Sequence, residues 1–236
     1  MEHVNCNLCN NDNFRVIFIK DGFSVVKCKD CNLVYLNPRL SQEELSKRYS
    51  FEENYFKELS HDNELQKEFK NKFLEVMNYI VKYKVKGNLL DVGCATGLFM
   101  EIANEKGWDT IGVEIFRDTA KIVESKKLDV YNLPFEDFMS DNSRFDLILM
   151  VDVLEHFTDP QTMLAKACEL LKEDGILFIV TPNIDGLVPR ISYILFSKVF
   201  RTWQHPEPPL HNYQFSRRTI NQFLNMTGFQ LTGLSS

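Results

Sequence analysis

From residue 88 onward the chain alternates short, almost unbroken apolar runs with helix-like segments. They read "NLLDVG", "LFMEIANEKG", "WDTIGVEI", "TAKIVESKK", "LDVYN", "FDLILMV", "MLAKACELLKEDG" and "ILFIVTPN". A strand that is apolar at every position has both faces buried, and intervening helices are what cover them. The fold class is therefore α/β, a doubly wound and mostly parallel sheet. No run reaches the ~18 apolar residues of a membrane-spanning helix, and no basic-then-apolar leader opens the chain, so the expected compartment is the cytoplasm.

Residues 1–40 have a different texture. Short β-like runs ("FRVIFIK", "FSVVKC", "NLVYL") alternate with turn-rich pieces. Residues 41–87 read as a helical connector: Ser41 and Glu44 have capping-box spacing, and residues 63–85 carry apolar positions at helical period. Residues 88–236 form the main domain, with an insertion at 184–215 whose "RISYILFSKVFRTW" reads as a capping helix. "FSRRTINQFLNMTGF" follows as a helix opened by Ser216 and stopped by Gly228, and "FQLTGL" as a further strand.

Four of the six cysteines fall as Cys6-x2-Cys9 and Cys28-x2-Cys31, with 18 residues between the pairs. Two such knuckles suit tetrahedral thiolate coordination of zinc, and two disulfides are disfavoured in a cytosolic chain. Four protein ligands close the site, so the zinc is expected to be structural. A ~40-residue module has too little core to fold alone, and a metal would supply the missing stability. Cys94 and Cys168 sit inside the apolar pattern and read as core thiols.

The turn after the first main-domain strand is "DVGCATG". Its Gly93-x3-Gly97 spacing is not the G-x-G-x-x-G of dinucleotide folds, which argues against a nicotinamide oxidoreductase. Asp91 would repel a pyrophosphate but attract an ammonium group. Glu114 ends the second strand 21 residues after Gly93, where a carboxylate can accept both ribose hydroxyls. An amino group at one end and a ribose at the other describe S-adenosylmethionine.

"LLDVGCATG", "GVEI", "FDLILMVDVLEHFTDP" and "LKEDGILFIVTPN" resemble the successive motifs of class I S-adenosylmethionine-dependent methyltransferases, which have a Rossmann-like fold, over residues 70–236. The cysteine module before "LVYLNPR" is similar to zinc-ribbon-bearing relatives that modify sugars, and "DVLEHFTDP" to methyltransferases of quinones and natural products. The resemblance implies that Asp91 orients the cofactor's amino end, that Gly93 and Gly97 let backbone lie beside it, and that Glu114 binds the ribose. It places Glu136, with Asp137 competing, near the adenine, and Val151 and Asp152 beside the methionine portion. Tyr49 and Tyr55 lie in a segment that covers the cofactor in relatives. The family closes its sheet with a seventh strand, so a chain stopping at "FQLTGLSS" suggests a longer parent.

The candidate catalytic residues are His156 and His211. His156 is open to three readings: a general base, a metal ligand with Asp152 and Glu155, or a buried hydrogen-bonding residue. His211, like His205, lies in "WQHPEPPLHNYQF" and reads as a base or as a turn residue. Net charge is −6, made of a local +4 over residues 186–236 and −10 elsewhere, and residues 1–40 hold five basic and four acidic residues. That balance disfavours nucleic acid as a partner. The expected acceptor is a small metabolite, a nucleotide-linked sugar or similar intermediate bound under the 184–215 cap. The alternatives are a quinone- or lipid-type acceptor at a membrane surface, and a nucleic-acid-binding zinc protein with a degenerate methyltransferase fold. Oligomeric state is open.

Overall fold

A computed structural model describes residues 1–41, 43–45, 63–140, 144–192 and 206–234. Tyr49, Tyr55, His205 and most of the expected capping helix lie outside the described residues. The chain divides into two compact units, one of residues 47–153 and 166–180, the other of residues 1–46, 154–165 and 181–236.

The first unit is built on five parallel strands: β4 (Asn88–Val92), β5 (Asp109–Val113), β6 (Asp129–Tyr131), β7 (Phe145–Val151) and β8 (Leu171–Val180), in the order β6-β5-β4-β7-β8. The chain runs outward from β4 to β6, then restarts on the other side with β7, which makes β4 the place where strand order reverses. Leu89, Leu90, Leu147 and Ile148 are all fully buried, although they alternate between the two faces. One face packs Leu89, Leu147 and Leu149 against Met77 and Ile80 of α1 (Asn63–Ile80) and Phe99, Ile102 and Ala103 of α2 (Leu98–Glu105). A smaller cluster gathers Cys94, Met100 and Val123, the last from α3 (Arg117–Ser125). Cys94 is thus a core thiol.

One boundary differs from the sequence pattern. "MLAKACELLKEDG" is not helical throughout: α4 (Pro160–Leu170) ends at Leu170, and β8 starts at the next residue. The register steps from Phe145↔Leu171 to Leu147↔Ile176, so residues 172–175 bulge out of the ladder. Asp146 of β7 is the reason. It accepts a hydrogen bond from the Asn88 amide at 2.9 Å and pairs with Lys172 at 2.7 Å and Lys84 at 3.5 Å, pulling the "LKEDG" segment over to the strand.

The second unit holds an antiparallel sheet of β1 (Phe14–Lys20), β2 (Phe23–Cys28), β3 (Val34–Leu36) and β9 (Tyr213–Gln214), in that order. Phe23, Val25, Val34 and Leu36 form its core with Leu40 and Ile184 alongside. The expected capping box forms: the Glu44 amide donates to Ser41 Oγ and Glu44 Oε2 accepts from the Ser41 amide. Ser216, read as a helix start, makes a second one with Thr219 at the start of α6 (Arg217–Met226). A short helix, α5 (Leu187–Ser192), opens the insertion. Residues 229–234 form no strand, contrary to the reading of "FQLTGL". They are mostly exposed and have no ladder partner among the described residues, and an unpaired backbone has no reason to hold an extended register.

Candidate functional site

The cysteine cluster is assembled by two near-identical turns. In each, the residue after the second cysteine is an asparagine with positive φ, Asn10 at 60° and Asn32 at 70°. Its amide donates back to the carbonyl of the first cysteine, Asn10 to Cys6 at 2.7 Å and Asn32 to Cys28 at 3.2 Å. Asparagine is among the few non-glycine residues that tolerate this left-handed geometry. The repeated C-x2-C-N was therefore a readable signal that spacing alone overlooks. All four sulfurs lie within 4.8 Å of one another, with Cys6 and Cys31 at 3.3 Å and Cys9 and Cys28 at 3.6 Å. A tetrahedral zinc at ~2.3 Å from each sulfur would hold them ~3.8 Å apart, so the donor set fits such an ion.

At the carboxyl edge of the parallel sheet, Asp91 of β4 stands between Gly112 of β5 and Leu149 of β7. Its carboxyl is buried, 4% exposed, and has no hydrogen-bonding or cationic partner among the described residues. Burial, with the neighbouring Glu114 charge adding to it, pushes its pKa up to about 7. Glu114, at the end of β5, is just as buried. Its Oε2 accepts from the Ala95 amide and its Oε1 from the Phe116 amide, both at 2.9 Å. The second carboxylate is therefore anchored to the glycine turn itself. Asn132, which sequence reasoning missed, steadies the same corner by donating to the carbonyls of Glu114 and Ile115.

The glycines have structural duties of their own. Gly93 has φ +72°, and a Cβ there would lie 2.6 Å from Val153 Cγ2; Gly97 has φ +76° where it caps α2. Gly112 is needed because a Cβ would meet the Cys94 sulfur at 2.6 Å. Beyond β7, Val151 ends the strand, and Asp152 follows with φ +52° and a 3.0 Å ion pair to Lys72. Glu136 and Asp137 sit in the 3-10 helix Phe135–Asp137 with exposed side chains.

In the other unit, the 3-10 helix Leu154–His156 brings Glu155 and His156 to His211. The two imidazoles meet edge to face, centroids 4.7 Å apart. Burial, with His211 beside it, pushes the pKa of His156 down to about 3 and leaves a neutral, weakly basic ring. Glu155 accepts from the Thr181 hydroxyl at 2.9 Å, and Asn212 donates to the His156 carbonyl at 2.9 Å. Neither Thr181 nor Asn212 carried any signal in the sequence. Arg39 of "NPR" reaches Glu2, the Thr158 carbonyl and the Tyr213 hydroxyl, joining three separate segments of this unit.

A methyltransferase-domain family model matches residues 60–234, about three quarters of the chain. Among curated proteins, the ubiquinone biosynthesis O-methyltransferase of Pelagibacter ubique is 28% identical over 119 residues, which cover 45% of this chain and 50% of that protein. The Coxiella burnetii protein of the same name is 36% identical over 103 residues, 41% of this chain and 44% of its own. The matched stretches thus span about half the length of these relatives or less. A crystal structure of a SAM-dependent methyltransferase from Archaeoglobus fulgidus superposes with TM-score 0.54 at 23% identity, covering 78% of this chain and 74% of that one. A possible histamine N-methyltransferase from Thermotoga maritima gives 0.51 at 22%, covering 67% and 72%. These neighbours share the fold of the parallel sheet with its flanking helices. By its sequence match over most of its length and by its strand order, the chain belongs to the methyltransferase-domain family.

Proposed function

We propose that this protein binds S-adenosylmethionine through Asp91 and Glu114 and transfers its methyl group to a small metabolite. One observation carries the reading: two buried carboxylates close the ends of adjacent strands where strand order reverses, and Asp91 has no cationic partner among the described residues. A buried carboxyl without a partner is costly when ionised. A ligand ammonium would compensate it, and Glu114 at the end of the next strand would accept from ribose hydroxyls. Gly93, Gly97, Val151 and Asp152 would line the cofactor's methionine end and Glu136 its adenine. Catalysis would rest on positioning, since the cofactor supplies the activated carbon, and His156, a neutral and weakly basic ring, is poorly suited to accept a proton. The four cysteines would hold one structural zinc.

For the acceptor, the zinc-ribbon-like module supports a nucleotide-linked sugar. The names of the curated relatives support a second reading, a phenolic hydroxyl of a quinone precursor. Calorimetry with S-adenosylmethionine should show binding that weakens about 10- to 100-fold in Asp91→Ala and in Glu114→Ala, the cost of one charge-assisted hydrogen bond. Wild-type affinity in both variants would overturn the cofactor assignment. S-adenosylhomocysteine release across a panel of nucleotide sugars and catechols then decides between the acceptors.

A further inference from the structure

We propose that Glu155, His156 and His211 form a second metal site, taking a divalent transition ion through nitrogen and oxygen donors and independent of the cysteine cluster. One ligand atom from each residue lies within 4.8 Å of the other two. Modest side-chain rotation closes that to the ~3.3 Å between donors on a tetrahedral ion. All three come from short, firmly tied pieces of chain. Glu155 and His156 are consecutive in one 3-10 turn, and the Leu210 and His211 amides both donate to the Glu207 carbonyl at 3.0 Å. Asn212 then ties the second piece to the first through the His156 carbonyl.

Each side chain is also held from behind. His156 hydrogen-bonds the Leu210 backbone, while its Nδ1 is buried with no hydrogen-bond partner among the described residues. The bond to Leu210 therefore uses Nε2–H, which places the lone pair on Nδ1. The Nε2 of His211 faces the Glu207 carboxylate at 3.7 Å, and Oε2 of Glu155 accepts from Thr181. An outer partner on every donor is how metal ligands are oriented and their tautomers chosen. Two imidazoles and one carboxylate select zinc, iron(II) or cobalt(II) over magnesium or calcium, which prefer oxygen alone. Three protein donors leave a coordination position open, unlike the closed set of four thiolates.

Cobalt(II) titration of metal-free, reduced wild-type protein separates the two sites. Thiolate ligands give intense charge-transfer bands, whereas nitrogen and oxygen donors give only weak d–d bands. The expected result is two equivalents, one of each kind, with the weak-band equivalent lost in His211→Gln and in Glu155→Gln and the thiolate equivalent retained. Titration of the wild type that stops at the thiolate equivalent overturns the proposal, whether or not the variants fold. So does a folded His211→Gln that still binds two equivalents. Absence of the thiolate bands alone would instead count against the cysteine site and leave this one standing.

Discussion

Asp91 shows what a single buried residue can ask of its surroundings. Its pKa of about 7 lies above the ordinary 3.8, so the fold favours the neutral acid. The stability gained by keeping it protonated is fully present below the usual carboxylate range and is lost as pH rises through about 7. Asp91→Asn should therefore raise the unfolding free energy at mildly alkaline pH and change it little in acid, as urea titrations at two pH values would show. An ammonium ligand needs the ionised form, so wild-type cofactor affinity should climb with pH and level off above about 7, falling up to about tenfold per unit below it. Calorimetry that shows no such slope would mean that Asp91 does not meet a cation. Gly93 is constrained differently. Gly93→Ala combines φ +72° with a Cβ 2.6 Å from Val153, and should cost about 1–3 kcal/mol of stability by urea unfolding.

Two of the four strands of the antiparallel sheet are short, β3 with three residues and β9 with two, and such a sheet needs help to hold together. The cysteine knuckles are placed to give it, since Cys28 ends β2 and Cys31 lies just before β3. One cysteine-bound zinc per chain is expected by elemental analysis of the wild type against the double cysteine variant, and its removal by a strong chelator should lower the melting temperature of this unit. Retention of full metal content in Cys28→Ser/Cys31→Ser would contradict the assignment. Asn32→Ala, which keeps every sulfur but places alanine at φ +70°, should cost roughly 1–2 kcal/mol, with Asn32→Gly close to neutral.

At the scale of the whole chain, charge and hydropathy bear on where the acceptor is met. Among the described residues no helix is long and apolar enough to cross a membrane. The basic surplus sits in residues 186–236, and basic aromatic segments can lie on anionic lipid. On the sugar reading the protein should stay at the bottom of a liposome flotation gradient even with anionic lipids. Flotation, together with methylation of a catechol, would shift the acceptor to the quinone class and leave the cofactor assignment intact.

What the sequence determined by itself was local. The almost unbroken apolar runs of β4 and β7, alternating with helix-like segments, specified a doubly covered parallel sheet, because a side-chain pattern is visible in a window of a few residues. Asp91, the glycine turn and Glu114 were legible because strand ends and turn chemistry lie within one βαβ segment, and Ser41 and Ser216 announced their helices for the same reason. Tertiary structure alone decided the rest. Nothing near Tyr213–Gln214 marks it as the partner of β3. The end of α4 at Leu170 depends on Asp146 capturing Lys172 from a neighbouring strand. His156 could be set beside Glu155 from the sequence, but its meeting with His211 could not, since the two are brought together by a turn and a sheet that close across the chain. Such contacts are set by which buried surfaces fit and which polar groups must be satisfied once water is excluded, and those conditions exist only after distant segments have met.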